Sequence, residues 1–333
     1  MSLYLADKWL WDPWFAQDGE NWHLFYLQAP RQLGAPDERH WHVSIGHAFS
    51  TDLHNWQVLP DALRPSDGED DWDNYTTWTG SILQRGDRWY LFYTGSRRSE
   101  AGKVQRIGMA SSVDLMSWQK FKDNPVLTGK DAPYEQLATG GWREQAWRDP
   151  WVFEDPETGD VHAFVTARIA RGAVDGRGVI AHARSIDLRT WQVLPPVTGS
   201  GDFNHMELPQ HVGFQGNYYL LFGVERKALS SRRRADPTAA TVTGIYYLRA
   251  DSPFGPYSMS TCKLLLGDSS GTYYAGKLLE PRPGELVYMP ALFNDSQGDF
   301  LGAIGDPMPV VCTESGDLAV VAGPGGNREP YSP

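Results

Sequence analysis

The sequence predicts an all-β fold, a five-bladed β-propeller of four-stranded antiparallel blades. Three observations predict it. Apolar residues come mostly in short runs cut by Gly, Asp and Pro, the punctuation of strands and turns, and helical periodicity is scarce. A short aromatic strand behind a turn recurs five times. A second unit, a strand with a Ser/Asp turn and then an aromatic residue, recurs four times, the last copy degenerate.

The aromatic strands are Asn21–Tyr26, Arg88–Tyr93, Val161–Val165, Asn217–Phe222 and Glu285–Met289. Each follows a turn (QDGE, RGDR, PETGD, QGN or RPGE) whose Gly, Asp and Asn tolerate the backbone a hairpin needs. Before each turn lies another short strand, beginning near Asp12, Thr79, Asp149, Glu207 and Tyr274, at intervals of 67, 70, 58 and 67 residues. The second unit follows as Ile45–Trp56, Ile107–Trp118 and Ile180–Trp191, with Leu248–Tyr257 as the degenerate copy. We read its Asp-x-x-x-Trp element as structural: the Asp satisfies turn amides and the Trp packs between sheets. A four-stranded sheet cannot bury both faces alone. Five arranged radially pack on one another and leave only short edges. The segment Leu3–Leu5 is expected to complete the last sheet. The inserts 29–40, 61–75, 129–145 and 226–241 read as rim loops. Residues 1–333 read as a single domain whose tail from 322 is loosely held.

Composition narrows the function. Hydrophobic residues are 41% and charged residues 21%, the profile of a folded globular chain. Thirty basic against 41 acidic residues give a net charge of −11, which disfavours nucleic acid and anionic membrane surfaces as partners. No run approaches the ~18 apolar residues of a spanning helix. Two cysteines make neither a disulfide framework nor a zinc site, and the histidines lack ligand spacing, so no metal and no cofactor is expected. No signal peptide is visible at MSLYLADKWLWDPW, which predicts a cytoplasmic protein, with secretion open if a leader was trimmed. The 14 Trp, 15 Tyr and 13 Phe suit sheets, and also suit flat faces on which sugar rings stack.

In a propeller the first strand of each blade lines the axis. Residues at the entrance of those strands converge on one funnel: Trp11-Asp12-Pro13, Trp78-Thr79-Gly80-Ser81, Arg148-Asp149-Pro150, Met206-Glu207-Leu208-Pro209 and Tyr273-Tyr274. Three of them are carboxylates, assigned to the same phase of the repeat. Each taken alone reads equally as a turn or cap residue, since Asp-Pro is a common turn start. Aimed together at one cavity, the three repel one another and separate their pKa values. One site then holds an ionised nucleophile beside a protonated acid. The basic loop Glu225–Arg234 reads as a solvated rim segment, with an interface or an anionic substrate as the alternative.

These residues carry a resemblance. Trp11-Asp12-Pro13, the strand ending Leu24–Pro30, the Gly-His-Ala unit at Ile45–Trp56, Trp78–Ser81, Trp147–Pro150 and His205–Pro209 stand in the order found in glycoside hydrolase family 32. More distantly they resemble the levansucrase-type family 68. The likeness covers roughly residues 9 to 225, and blade five matches by period alone. It implies retaining hydrolysis of β-linked fructofuranosides, sucrose or short fructans, in exo mode through a covalent fructosyl-enzyme. Asp12 is similar to the family's nucleophile, Glu207 to its acid/base and Asp149 to its transition-state stabiliser. A retaining pair needs carboxyl groups about 5–5.5 Å apart. Gln28, Trp78 and Ser81 resemble substrate-contacting positions. Trp11 replaces an Asn that usually precedes the nucleophile. Arg148 is placed to pair with a carboxylate or a sugar oxygen, and His205 and Tyr274 follow from their axial place. The sequence departs from the family at Trp11, at Trp14-Phe15, at Gln28 (one residue late), at Ile45 and at Leu208, and the family's C-terminal β-sandwich is not expected in these 333 residues.

Three further readings stay open: a fructosyltransferase of levansucrase type, a family 43-like arabinan or xylan hydrolase, and a non-catalytic sugar-binding propeller. The expected partner is a small saccharide substrate, and oligomeric state is not read from the sequence.

Overall fold

The computed structural model describes residues 2–130, 133–138 and 141–321. The tail from 322, expected to be loosely held, lies outside them. Five sheets ring an axis. Blade I holds β1 (Lys8–Asp18), β2 (Asn21–Pro30), β3 (Ser44–Ser50) and β4 (Gln57–Leu63). Blade II holds β5 (Thr76–Arg85), β6 (Arg88–Ser96), β7 (Gln105–Ser112) and β8 (Gln119–Lys120). Blade III holds β9 (Trp147–Glu154), β10 (Val161–Arg168), β11 (Gly178–Ser185) and β12 (Gln192–Leu194). Blade IV holds β13 (Glu207–Phe214), β14 (Asn217–Val224), β15 (Thr243–Ala250) and β16 (Lys263–Asp268). Blade V holds β17 (Tyr273–Arg282), β18 (Glu285–Asn294), β19 (Phe300–Ile304), β20 (Met308–Cys312) and β21 (Leu318–Val320). All neighbours pair antiparallel. The first strands β1, β5, β9, β13 and β17 touch in that order, and β17 returns to β1.

Blade V departs from the four-stranded pattern. Its third strand breaks at 305–307, Gly-Asp-Pro, and both halves pair with β18. Proline has no N–H to give a ladder, so a break there is the natural outcome. The upper half, β19, receives Leu3 as a single antiparallel bridge, with Leu3 N–H to Ile304 O at 2.8 Å and the reverse bond at 3.0 Å. Closure of the ring is thus one bridge rather than the strand expected over residues 3–5.

The Asp-x-x-x-Trp units do what their residue types suggest. Asp52 accepts from the amides of His54 and Asn55 at 2.8 and 2.7 Å, and Asp114 and Asp187 repeat the turn. Trp118 packs edge-on against Phe25 of the preceding blade, and Trp191 against Phe92, each at 5.8 Å between ring centres. In the degenerate copy Tyr257 reaches Phe164 in the same way, at 6.2 Å. Blades II, III and IV therefore each plug the one before, while Trp56 of blade I packs on Phe15 of its own blade. Such aromatic pairs contribute about 0.5–1.5 kcal/mol beyond the area they bury.

The feature that builds the site is a bulge in each innermost strand. The register slips between Trp11 and Trp14, Trp78 and Gly80, Arg148 and Trp151, Glu207 and Gln210, and Tyr273 and Gly276. Asp12, Asp149 and Leu208 lie at its start with φ of 48°, 57° and 59°, each followed by a proline that needs no ladder partner. A non-glycine residue in this left-handed region costs about 1–2 kcal/mol, least for Asp. Packing between blades sustains that strain. In blade II the partner strand approaches so closely that a Cβ at Gly80 would lie 1.9 Å from Phe92 O. Only glycine fits there.

Candidate active site

The bulges bring Asp12, Asp149 and Glu207 together, with one correction to their phase. Asp12, Thr79, Asp149, Leu208 and Tyr274 are the equivalent bulge residues. Glu207 precedes its bulge and is equivalent to Trp11, Trp78, Arg148 and Tyr273. The three carboxylates therefore do not share a phase. A left-handed residue breaks strict strand alternation, so both the residue before the bulge and the one at its start turn toward the axis.

Arg148 is the centre of the cluster. Its Nη2 donates to Glu207 Oε1 at 2.5 Å, its Nη1 to Glu144 Oε1 and Gln105 Oε1 at 3.1 Å each, and its Nε lies 3.6 Å from Asp149 Oδ2. Burial works against its charge, but Glu207, Glu144 and Asp149 outweigh burial and its pKa rises. Tyr274 Oη donates to the other oxygen of Glu207. Asp149 Oδ2 accepts from Thr166 Oγ1 at 3.1 Å and from the Leu208 amide at 3.3 Å. Asp12 Oδ2 accepts from Thr79 Oγ1 at 2.8 Å, while Asp12 Oδ1 is buried with no hydrogen-bond partner.

These surroundings push the carboxylates upward. Burial, then the charge on Asp149, raise the Asp12 pKa to about 7 against the bond from Thr79. Burial raises Glu207 to about 7 against Arg148, with Asp149 adding to the rise. Asp149 is also raised by burial, opposed chiefly by Arg148. Glu207 keeps 27% side-chain exposure, so it is hemmed in by protein yet open to the funnel mouth; Asp149 keeps 6%. Desolvation and like charge together favour the protonated forms of these groups, chiefly Asp12 and Glu207, up to neutral pH.

The remaining predicted residues divide. Trp11 is buried, edge-on to His40 at 6.0 Å. Trp78 Nε1 donates to His40 O at 2.9 Å and its ring lies 5.8 Å from Trp41, so these aromatics form one wall of the funnel. His205 lies 3.7 Å from Glu144 and edge-on to Trp142; burial and then Arg148 hold it neutral. Ser81 is buried, and its Oγ accepts from the Val152 amide at 2.9 Å, tying blade II to blade III. Gln28 is drawn away from the cluster. Register pairs Trp11 with Leu27 and Leu10 with Gln28, so the glutamine that arrives one residue late faces the opposite side. Its amide donates to Asp61 at 2.7 Å and Ser44 at 3.2 Å.

Sequence reasoning missed three groups. Thr79 stood inside a quoted motif without a role. Lys277, the buried cation of β17, donates to Leu208 O at 3.1 Å and faces Asp12 and Asp149; burial lowers it to about 8. Arg39, on the loop 36–41, sits 4.0 Å over Phe300 and 5.5 Å over Trp11, with its Nε buried and unpaired. It edges a rim cavity of about 340 Å³ between blades I, IV and V, with Glu225 and Lys227. In the basic loop Arg233 is buried, 3.6 Å from Asp202, while Arg232 and Lys227 stay largely exposed beside Asp202 and Glu225.

Fold and site define a class, the propeller enzymes that place acidic residues at the entrance of the axial strands. The chain belongs to the glycosyl hydrolases family 32, whose N-terminal domain model matches residues 6–280. It is a glycoside hydrolase, and the expected assignment to fructofuranoside hydrolysis stands. A relative is the extracellular sucrase of Zymomonas mobilis, 26% identical over 94% of this chain and 81% of that one. Among solved structures, an inulosucrase from Halalkalicoccus jeotgali bound to kestose superposes with a TM-score of 0.75 at 22% identity, covering 95% of this chain and 87% of that one. The Bombyx mori GH32 beta-fructofuranosidase superposes at 0.72 and 18%, covering 96% of this chain. This chain spans 64% of the Bombyx enzyme's length. At these identities the structures show a shared fold. The expectation of a cytoplasmic protein is corrected: a relative matched along nearly the whole chain is extracellular, and a leader invisible in a given sequence is no argument against secretion.

Proposed function

We propose that the propeller is an exo-acting, retaining hydrolase of small β-linked fructofuranosides, with sucrose and short fructans as the substrate class. Asp12 attacks the anomeric carbon. Glu207 protonates the leaving oxygen and then activates water, and Asp149 steadies the positive charge that develops on the ring. One observation carries the reading: three carboxylates from three blades meet at one mouth, and Arg148 grips Glu207 at 2.5 Å while lying 3.6 Å from Asp149. Tyr274 aids Glu207, and the partly exposed Trp78, with Trp11 packed behind the site, gives the sugar an apolar wall. Placement of the carboxylates at the entrance of the axial strands favours removal of terminal units over mid-chain cleavage. The likeness to an extracellular sucrase supports the same substrate class and a secreted setting. The propeller by itself is proposed as the catalytic unit.

Wild type and Asp12→Asn are incubated with sucrose and with inulin and levan oligomers, and products are resolved by sugar. Free fructose from wild type alone supports the reading. Methanol added as acceptor yields the β-methyl fructofuranoside if configuration is retained. Longer oligomers make the protein a transferase. Full activity in Asp12→Asn overturns the mechanism, and saturable sugar binding without turnover makes the propeller a binding module.

A further inference from the structure

Lys277 is a buried cation for which the carboxylate chemistry above has no use. It lies on β17 with 3% exposure. Its Nζ is 5.9 Å from the centre of the Trp151 ring, and the residue edges a cavity of about 310 Å³ at the far end of the inner strands. The ammonium donates to Leu208 O at 3.1 Å, a neutral acceptor. A buried charge needs a counter-charge as well. Asp12 and Asp149 supply it across the axis.

The charges around Asp12 show why the cation matters. Blade II offers only the Thr79 hydroxyl. Blades III and IV bring Asp149 and Glu207, both of which oppose a second negative charge. Arg148 is committed to Glu207, Glu144 and Asp149. Arg39, on the rim loop, donates to Pro36 O at 2.8 Å and lies 3.5 Å from Asp37. Arg39 also faces Asp12 from the rim, and Lys277, from blade V, is the buried cation that favours its ionised form from within the axial cluster.

We propose that Lys277 is a positioning residue for the nucleophile: from beneath the axis its ammonium keeps Asp12 in the carboxylate form that attacks, while Asp149 and Glu207 favour its neutral form. The proposal rests on the reading of Asp12 as nucleophile. It separates two duties within the cluster. Arg148 governs the acid/base and the stabiliser, and Lys277 governs the nucleophile.

The test compares wild type with Lys277→Gln, which keeps a donor for Leu208 O, and with Lys277→Met. Removing the charge moves the acid limb of the kcat/KM profile upward by at least about one pH unit. Activity near pH 5 then falls about 10-fold or more, while near pH 8 it stays within about threefold of wild type. A purely structural role lowers activity equally at every pH, and that result, or an unmoved acid limb, overturns the proposal. Should neither variant fold, the coupling is read from the other side, because it is reciprocal. The Lys277 ammonium is titrated by carbon NMR of lysine-labelled wild type and Asp12→Asn. Loss of the carboxylate lowers the Lys277 pKa by about one unit or more, and an unchanged value overturns the proposal. This titration needs no turnover, so a failed nucleophile assignment (full activity in Asp12→Asn) is distinguishable from a failed coupling.

Discussion

Replacing Asp12 with Asn should stabilise the protein above neutral pH. Asn keeps an oxygen for the Thr79 hydroxyl bond at 2.8 Å, and its new NH2 occupies the side where Asp12 Oδ1 has no partner. What changes is charge. The folded-state pKa of Asp12 is raised from 3.8 to about 7, so the folded protein holds this proton more tightly than the unfolded chain does. Stability from that proton is fully present below the unfolded pKa and is lost as pH rises through the folded one. A shift of about 3 units at 1.36 kcal/mol each amounts to about 4 kcal/mol. For a chain of 333 residues the unfolding entropy is roughly 0.7 kcal/mol per degree, so Tm should rise by about 6 °C. The assay is a thermal melt of both proteins from about pH 4 to pH 9. The gap between them should be near zero at the acid end, where Asp12 is protonated in both states, should open as pH rises from 3.8 to about 7, and should hold its full size above neutrality. A gap independent of pH, or one favouring wild type at alkaline pH, would refute the reasoning. The same variant should lose hydrolysis, as expected where function is placed on a strained, destabilising group.

Other predictions concern the neighbours of that carboxylate. The pH profile of kcat/KM should be a bell with limbs flanking neutral pH, because Asp12 and Glu207 are both pushed up to about 7 and the active form carries one proton between them; a flat profile through neutrality would contradict this. Arg148→Met should lower kcat/KM at least about 100-fold, move the alkaline limb upward as Glu207 loses its cation, and cost about 3–5 kcal/mol in calorimetry. Tyr274→Phe should reduce kcat/KM about 10-fold with little change in Tm, since it removes one donor to Glu207 and no volume from the core. Glu135→Gln, in the buried pair with Arg168 at 2.6 Å and Arg177 at 2.5 Å, should cost about 3–5 kcal/mol in denaturation while leaving kcat at 25 °C near wild type.

Particular residues mark how far the sequence could be read. The Asp-Leu-x-x-Trp units were legible because both halves of their role are local: a side chain capping its own turn, and a ring at a fixed offset from it. Glu207 was found but misphased. Its bulge begins at Leu208, and alignment on the prolines Pro13, Pro150 and Pro209, rather than on the acids, carries that signal. Gln28 was assigned by likeness to a motif one residue out of step, and on a strand one residue is the opposite face. Lys277 was passed over because a lysine near the middle of an apolar strand announces nothing about what lies across the axis.

The sequence by itself determined the number of blades, the strand of each that lines the axis, and the acids those strands carry. Periodicity and turn chemistry are properties of a few neighbouring residues, and a repeat multiplies them. Only the tertiary structure decided which side chains turn inward at the bulges, which carboxylate Arg148 grips, and where each proton resides. Those outcomes depend on groups from five blades, up to some 265 residues apart in sequence (Asp12 to Lys277), meeting where water is scarce.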